Sequence, residues 1–167
     1  MVRMTATATR LCVLAAALLL LGSLAAAAPT PQVNVTVPAF VSFAVTNVNV
    51  STTGSPNPFT ISFTKADHFN KLAFRISVKA VASSFTPPAG PSIPASKVSW
   101  SIVSAQNGTG YNGTLSSTAY TIVYQSVPEP SSGSVSLTWS LAAPGASGLR
   151  AGNHTLSLTW RLEAVVP

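Results

Sequence analysis

The chain has 167 residues, 47% of them hydrophobic and only 7% charged, with nine Lys and Arg against three Asp and Glu for a formal net charge of +6. One cysteine excludes a disulfide framework, and three carboxylates leave little material for acid–base chemistry. The cations are spread thinly along the chain, unlike the patch or stripe that marks a nucleic-acid binder.

The first 27 residues read as a secretory signal. Arg3 and Arg10 supply a basic start, Leu11 to Leu24 a short apolar stretch, and Ala25-Ala26-Ala27 the small-residue cleavage pattern. A spanning helix needs about 20 strongly apolar residues; this stretch is alanine-rich and ends in Pro29-Thr30-Pro31, so no transmembrane anchor is expected after cleavage. Cys12 lies at the front of the apolar stretch, where a lipoprotein would carry its cysteine at the end. Cleavage after Ala27 leaves residues 28–167 as one domain, secreted or at the cell surface, without a thiol and with seven cations against Asp67, Glu129 and Glu163.

Beyond the signal, no helical period persists, and Ser, Thr, Val and Pro dominate. Gln32 to Val37 alternates, with Val33, Val35 and Val37 on one face, and Pro38 interrupts it. A second strand runs from Phe40 or Val41 through Val45, with a continuation toward Val50. Thr52 to Pro58 reads as a turn or loop, and Phe59, Ile61 and Phe63 mark a third strand. After a polar turn over residues 65–71, Leu72 to Ala80 is the cleanest strand: Leu72, Phe74, Ile76 and Val78 face in, and Arg75, Ser77 and Lys79 face out.

Phe85 to Ser96 carries Pro87, Pro88, Pro91 and Pro94 and reads as an extended surface loop. Val98, Trp100 and Ile102 begin the next strand; Asn107-Gly108 and Asn112-Gly113 then signal turns. Tyr120, Ile122 and Tyr124 give another strand before Pro128-Glu129-Pro130. Finally, Ser136-Leu137-Thr138-Trp139-Ser140-Leu141 returns as Ser157-Leu158-Thr159-Trp160-Arg161-Leu162. With Pro144-Gly145 and Gly148 between them, the two phrases read as antiparallel strands joined by a loop. About eight or nine short strands separated by Gly/Pro-rich turns predict an all-β, antiparallel, immunoglobulin-like sandwich, with a jelly roll as the structural alternative.

Large aromatics on the apolar parity of a strand belong in a core, so Trp100, Trp139 and Trp160 are assigned there rather than to a sugar-binding platform. Tyr111, in the loop between the two Asn-Gly turns, is the candidate for an exposed binding aromatic. Asp67-His68 is the one place where a carboxylate meets an imidazole in sequence, and it reads as a polar turn. A metal site needs more ligands and a glycosidase two apposed carboxylates, while Glu163 alternates outward. No catalytic residue, cofactor or metal is expected. Asn34, Asn49, Asn107, Asn112 and Asn153 each satisfy the N-x-Ser/Thr glycosylation pattern, which matters only in a eukaryotic secretory route.

The ending Ala151-Gly152-Asn153-His154-Thr155-Leu156-Ser157-Leu158-Thr159-Trp160-Arg161-Leu162 resembles the closing strand of WxL-type bacterial surface domains, with Val98-Ser99-Trp100-Ser101-Ile102 in the place of their earlier Trp motif. It is also similar to spore-coat-U and fimbrial-type secreted sandwiches. The first resemblance implies non-covalent attachment to cell-wall polysaccharide. The second implies copies of the chain assembling through an N-terminal segment such as Gln32 to Val37. The expected function is therefore a non-catalytic, bacterial-type surface or matrix protein with a structural or adhesive role; a self-assembling subunit is the alternative, and a secreted hydrolase ranks last.

Overall fold

Period-two alternation of apolar and small polar residues recurs from Val33 onward, and the described residues fold mainly into strands. The computed structural model describes residues 33–65, 71–85, 92–143 and 151–167. The signal segment, Asp67-His68, most of the proline loop and the Pro144–Gly148 turn lie outside the described residues. In chain order the strands are β1 (Val33–Val35), β2 (Phe40–Val45), β3 (Thr52–Ser55), β4 (Phe59–Lys65), β5 (Ala73–Ala80), β6 (Ser84–Phe85) and β7 (Ile93–Pro94). After a 3-10 turn at Ala95–Lys97 follow β8 (Val98–Gln106), β9 (Gly108–Gly110), β10 (Gly113–Thr114), β11 (Thr121–Ser126), β12 (Ser132–Leu141) and β13 (Gly152–Val165). Among the described residues no helix is long and apolar enough to cross a membrane.

All pairing among the described residues is antiparallel, and the strands form a sandwich. The first layer sets β12 between β4 and β8, with β1 beyond β4 and β10 beyond β8. The second runs β2, β13, β5, β11, β9. Long β13 serves two partners, β2 through Gly152 to Ser157 and β5 through Leu158 to Val165. A separate two-stranded ladder joins β6 to β7.

The layers are continuous through β3, which pairs with the end of β12 on one side and with β2 on the other. Thr52 to Ser55 reads as a turn in sequence, yet it is the hinge strand of the fold. Gly54 explains the choice of residue: an added Cβ would lie 2.7 Å from the Trp139 Cβ and 2.8 Å from the Phe43 ring. Only a bare backbone passes where the two sheets meet. The expected continuation of β2 toward Val50 is instead a turn, in which the Asn49 N–H donates to Asn47 Oδ1 at 2.9 Å.

The inward parity of both layers builds one core. Val135, Leu137, Trp139 and Leu141 of β12 face Val41, Phe43 and Val45 of β2 and Phe74, Ile76 and Val78 of β5 in a single buried cluster. Rings stitch the layers together: Phe63 of β4 meets Phe74 of β5 at 5.0 Å and Tyr124 of β11 at 5.8 Å. Such pairs contribute about 0.5–1.5 kcal/mol each beyond the area they bury.

Two sequence expectations change here. The twin Ser-Leu-Thr-Trp segments are not a hairpin, because β12 lies in the first layer and β13 in the second. A bulge in β11 also breaks the expected alternation of Tyr120, Ile122 and Tyr124. Ile122 opposes Ser77 and Tyr124 opposes Ile76, so Val123 is the extra residue and is buried beside Tyr124.

Candidate functional site

The three tryptophans form a chain of rings through the sandwich. Trp100 and Trp139 are register partners on β8 and β12, 5.6 Å apart, and both are buried. Trp139 meets Trp160 of β13 across the layers at 6.5 Å. Trp160 is only partly buried, and its Nε1–H donates to the Pro38 carbonyl at 2.7 Å, tying β13 to the segment that enters β2. Two residues on, Leu162 shares the inward parity but is 39% exposed. The apolar clamp therefore loosens toward the end of β13.

Tyr111 sits between β9 and β10, at the edge where the chain steps from one layer to the other and back. Its N–H donates to the Val123 carbonyl at 2.8 Å, and its own carbonyl accepts the Trp100 Nε1–H at 2.7 Å. The backbone is pinned from both layers while the side chain stays 41% exposed. Glycines permit this close approach. A Cβ at Gly113 would fall 2.4 Å from Trp100 Cζ2, and one at Gly110 would fall 2.7 Å from Ile102 Cγ2. Asn107 makes the first step with φ of 54° and donates from Nδ2 to the Ser132 carbonyl at 2.8 Å.

Nearby, Tyr124 is buried and donates its Oη–H to the Gln106 carbonyl at 2.8 Å. Burial penalises the phenolate and pushes its pKa up to about 12. That group braces the core. Glu129, with φ of 50°, ties the segment after β11 to the start of β5 by accepting the Lys71 N–H on Oε1 at 2.7 Å. His154 is fully buried on β13. Among the described residues, no three His, Cys, Asp or Glu side chains come together in a way that could hold a metal.

The outer faces of the two layers differ sharply. Facing out from the first layer are hydroxyl side chains, with Thr60, Ser62 and Thr64 of β4 beside Ser136, Ser134 and Ser132 of β12. The second layer gathers charge. Register places Thr159 beside Lys79, Arg161 beside Ser77 and Glu163 beside Arg75, with Ile122 and Gln125 of β11 flanking the last two rows. Tyr120, just ahead of β11, brings two of the cations to one ring, with Lys79 Nζ 5.0 Å and Arg161 Cζ 4.6 Å from its centroid.

Arg75 donates from Nε and Nη2 to Gln125 Oε1 at 3.2 and 3.0 Å, and Arg161 Nη2 lies 3.0 Å from Glu163 Oε2. The thin spread of cations along the sequence is thus undone by the fold. Arg75 and Lys79 share the outward parity of β5 and Arg161 that of β13, strands that neighbour each other despite their distance in the chain. Chemically the face offers charge-assisted donors and one electron-rich ring.

No protein-family model matches the chain, and neither a curated protein nor a solved structure is significantly similar to it.

Proposed function

We propose that this chain is a non-catalytic surface or matrix protein of bacterial type, secreted and held in a structural or adhesive role at the cell wall. The observation that carries this reading is the outer face of the second layer, where Lys79 and Arg161 stand over the Tyr120 ring and Arg75 shares their outward parity. A broad charged face suits contact with an extended surface, whereas small-molecule sites are concave and mostly apolar. The two described carboxylates support the same reading: Glu129 holds the Lys71 backbone N–H and Glu163 pairs with Arg161. The WxL-like ending adds the cell wall as the place of attachment.

Incubation of the purified protein with isolated cell-wall material at low salt tests this. Retention that weakens as salt rises is expected, and no retention at low salt would sink the proposal. Fractionation of the producing cells adds a check on location, with the protein expected outside the cytosol.

A second reading, a self-assembling subunit, draws on β1. This three-residue strand pairs with β4 at the margin of the first layer, and Val35 and Val37 pack against the core. The chain behind it is pinned at Pro38 by Trp160 and at Ala39 by the Leu158 N–H. Such a strand can be supplied by a neighbour as well as by its own chain. Removal of residues 28–38 should then abolish higher assemblies seen by light scattering. Unchanged assembly would end this reading.

A further inference from the structure

We propose that the outer face of the second layer binds an acidic polysaccharide, one carrying phosphate, sulfate or carboxylate groups along its length. Lys79 and Arg161 are the principal contacts, held in place by Tyr120, with Arg75 at the margin. This rests on the adhesive reading above and names its partner by chemistry.

The first argument is charge balance. Cations placed on a sheet for stability alone sit opposite acids, because like charges on adjacent strands repel. Here Lys79 and Arg161 share one neutral ring, and Glu163, paired with Arg161, is the sole carboxylate against three cations in the outward rows of β5 and β13. An anion from outside supplies the counter-charge that Glu163 leaves unmet.

The second is preorganisation. Long basic side chains lose rotamer freedom on binding, and a ring that already holds both heads lowers that cost. The ring's part is positioning; the donors are the ammonium and guanidinium groups.

The spacing of the cations decides for a polymer. A single small anion on an exposed surface is weakly held and screened by salt, whereas a chain that touches several cations at once gains by multivalency. A sheet rise of about 3.4 Å per residue puts Lys79 and Arg75, four residues apart, roughly 14 Å from one another along β5. That span takes in several charged sugars and exceeds any one anion. Nucleic acid fits less well, because single-strand binders offer free aromatic platforms for bases and this ring is engaged with cations.

Affinity electrophoresis of the full chain tests the site in gels containing dextran sulfate, polygalacturonate or neutral dextran. Retardation by the two acidic polymers and free migration in dextran are expected. The K79Q/R161Q variant should lose at least tenfold in affinity and Tyr120→Leu a few-fold, while Tyr120→Phe, which keeps the ring, should bind like the parent. Lys97→Gln, on the 3-10 turn ahead of β8, should also bind like the parent. Thermal unfolding of each variant shows whether it is folded.

Equal binding by a folded K79Q/R161Q protein overturns the site. So does an equal loss in Lys97→Gln, which would mean net charge alone, or tighter binding of single-stranded DNA than of dextran sulfate. The two proposals separate cleanly. Wall retention that survives K79Q/R161Q removes the site and leaves the adhesive reading. Binding of dextran sulfate without wall retention removes the adhesive reading and leaves the site.

Discussion

Trp139 and Trp160 meet edge to face at 6.5 Å and 73°, from strands in opposite layers of the sandwich. The repeated Ser-Leu-Thr-Trp phrase is therefore one inter-sheet clasp made in two halves. Trp100 extends it within the first layer, so three indoles link β8, β12 and β13. Their polar edges are treated differently. Trp100 and Trp160 each donate to a carbonyl at 2.7 Å, while Trp139 Nε1 is buried with no hydrogen-bond partner.

That difference ranks the Trp→Phe variants. Each loses ring area in or against the core, but Trp139→Phe also removes an unsatisfied donor, whereas Trp100→Phe orphans the Tyr111 carbonyl. A net hydrogen bond is worth about 1 kcal/mol, so Trp100→Phe should cost about 1 kcal/mol more than Trp139→Phe in denaturant unfolding. Trp139→Phe as the costlier of the two would contradict this account.

Much of the fold was legible because parity is local. The alternation of β12, with Val135, Leu137, Trp139 and Leu141 inward, holds in the structure, and the antiparallel sandwich follows from many such strands. Three features were hidden because their causes are not local. Thr52-Thr53-Gly54 carries turn residues, and only the contact of Gly54 with Trp139 and Phe43 shows why a strand needs glycine there. The bulge at Val123 shifts parity with no signal in composition. The cationic face depends on β5 and β13 being neighbours, which the outward parity of Arg75, Lys79 and Arg161 could not announce.

The edge where β9 and β10 cross between layers should be the least tolerant of added atoms. A Cβ at Gly108 would lie 2.4 Å from the Gln125 backbone oxygen and 2.5 Å from Tyr124 Oη, neither of which can swing away freely. Gly108→Ala should cost about 1–3 kcal/mol or more, as overpacking does. Gly113→Ala should cost a similar amount and also shift tryptophan fluorescence, since its Cβ would strike Trp100. Melting temperatures within a degree of the parent for both variants would refute the tight crossing.

Alkaline stability should report on Tyr124. Burial holds its neutral form, raising the pKa from an ordinary 10.0 to about 12. Below pH 10 both folded and unfolded states keep the proton, and the benefit of the neutral phenol is complete. Between about 10 and about 12 only the unfolded state releases it, so stability falls as pH rises through that window. The loss attributable to this group is about 2–3 kcal/mol, at 1.36 kcal/mol per pKa unit. Tyr124→Phe should be less stable at neutral pH, having lost the bond to the Gln106 carbonyl, yet lack this share of the alkaline decline. Parallel stability curves from pH 9 to 12 would show that the phenol is not the cause.

Glu163 works against the cationic face it lies on. Its Oε2 sits 3.0 Å from Arg161 Nη2, with the two side chains 32% and 50% exposed, and its register partner is Arg75. An exposed pair of this kind contributes about 0–1 kcal/mol, so Glu163→Gln should barely change the denaturation midpoint. Its effect on binding should be larger, because the substitution removes the one negative charge of those rows and frees a guanidinium edge for an incoming anion. Retardation by dextran sulfate should strengthen several-fold at low salt. The gain should shrink as salt rises, since the Debye length falls from about 10 Å at 0.1 M to about 3 Å at 1 M. A Glu163→Gln protein that is folded but retarded no more than the parent at low salt would mean that Arg161 does not meet the polymer.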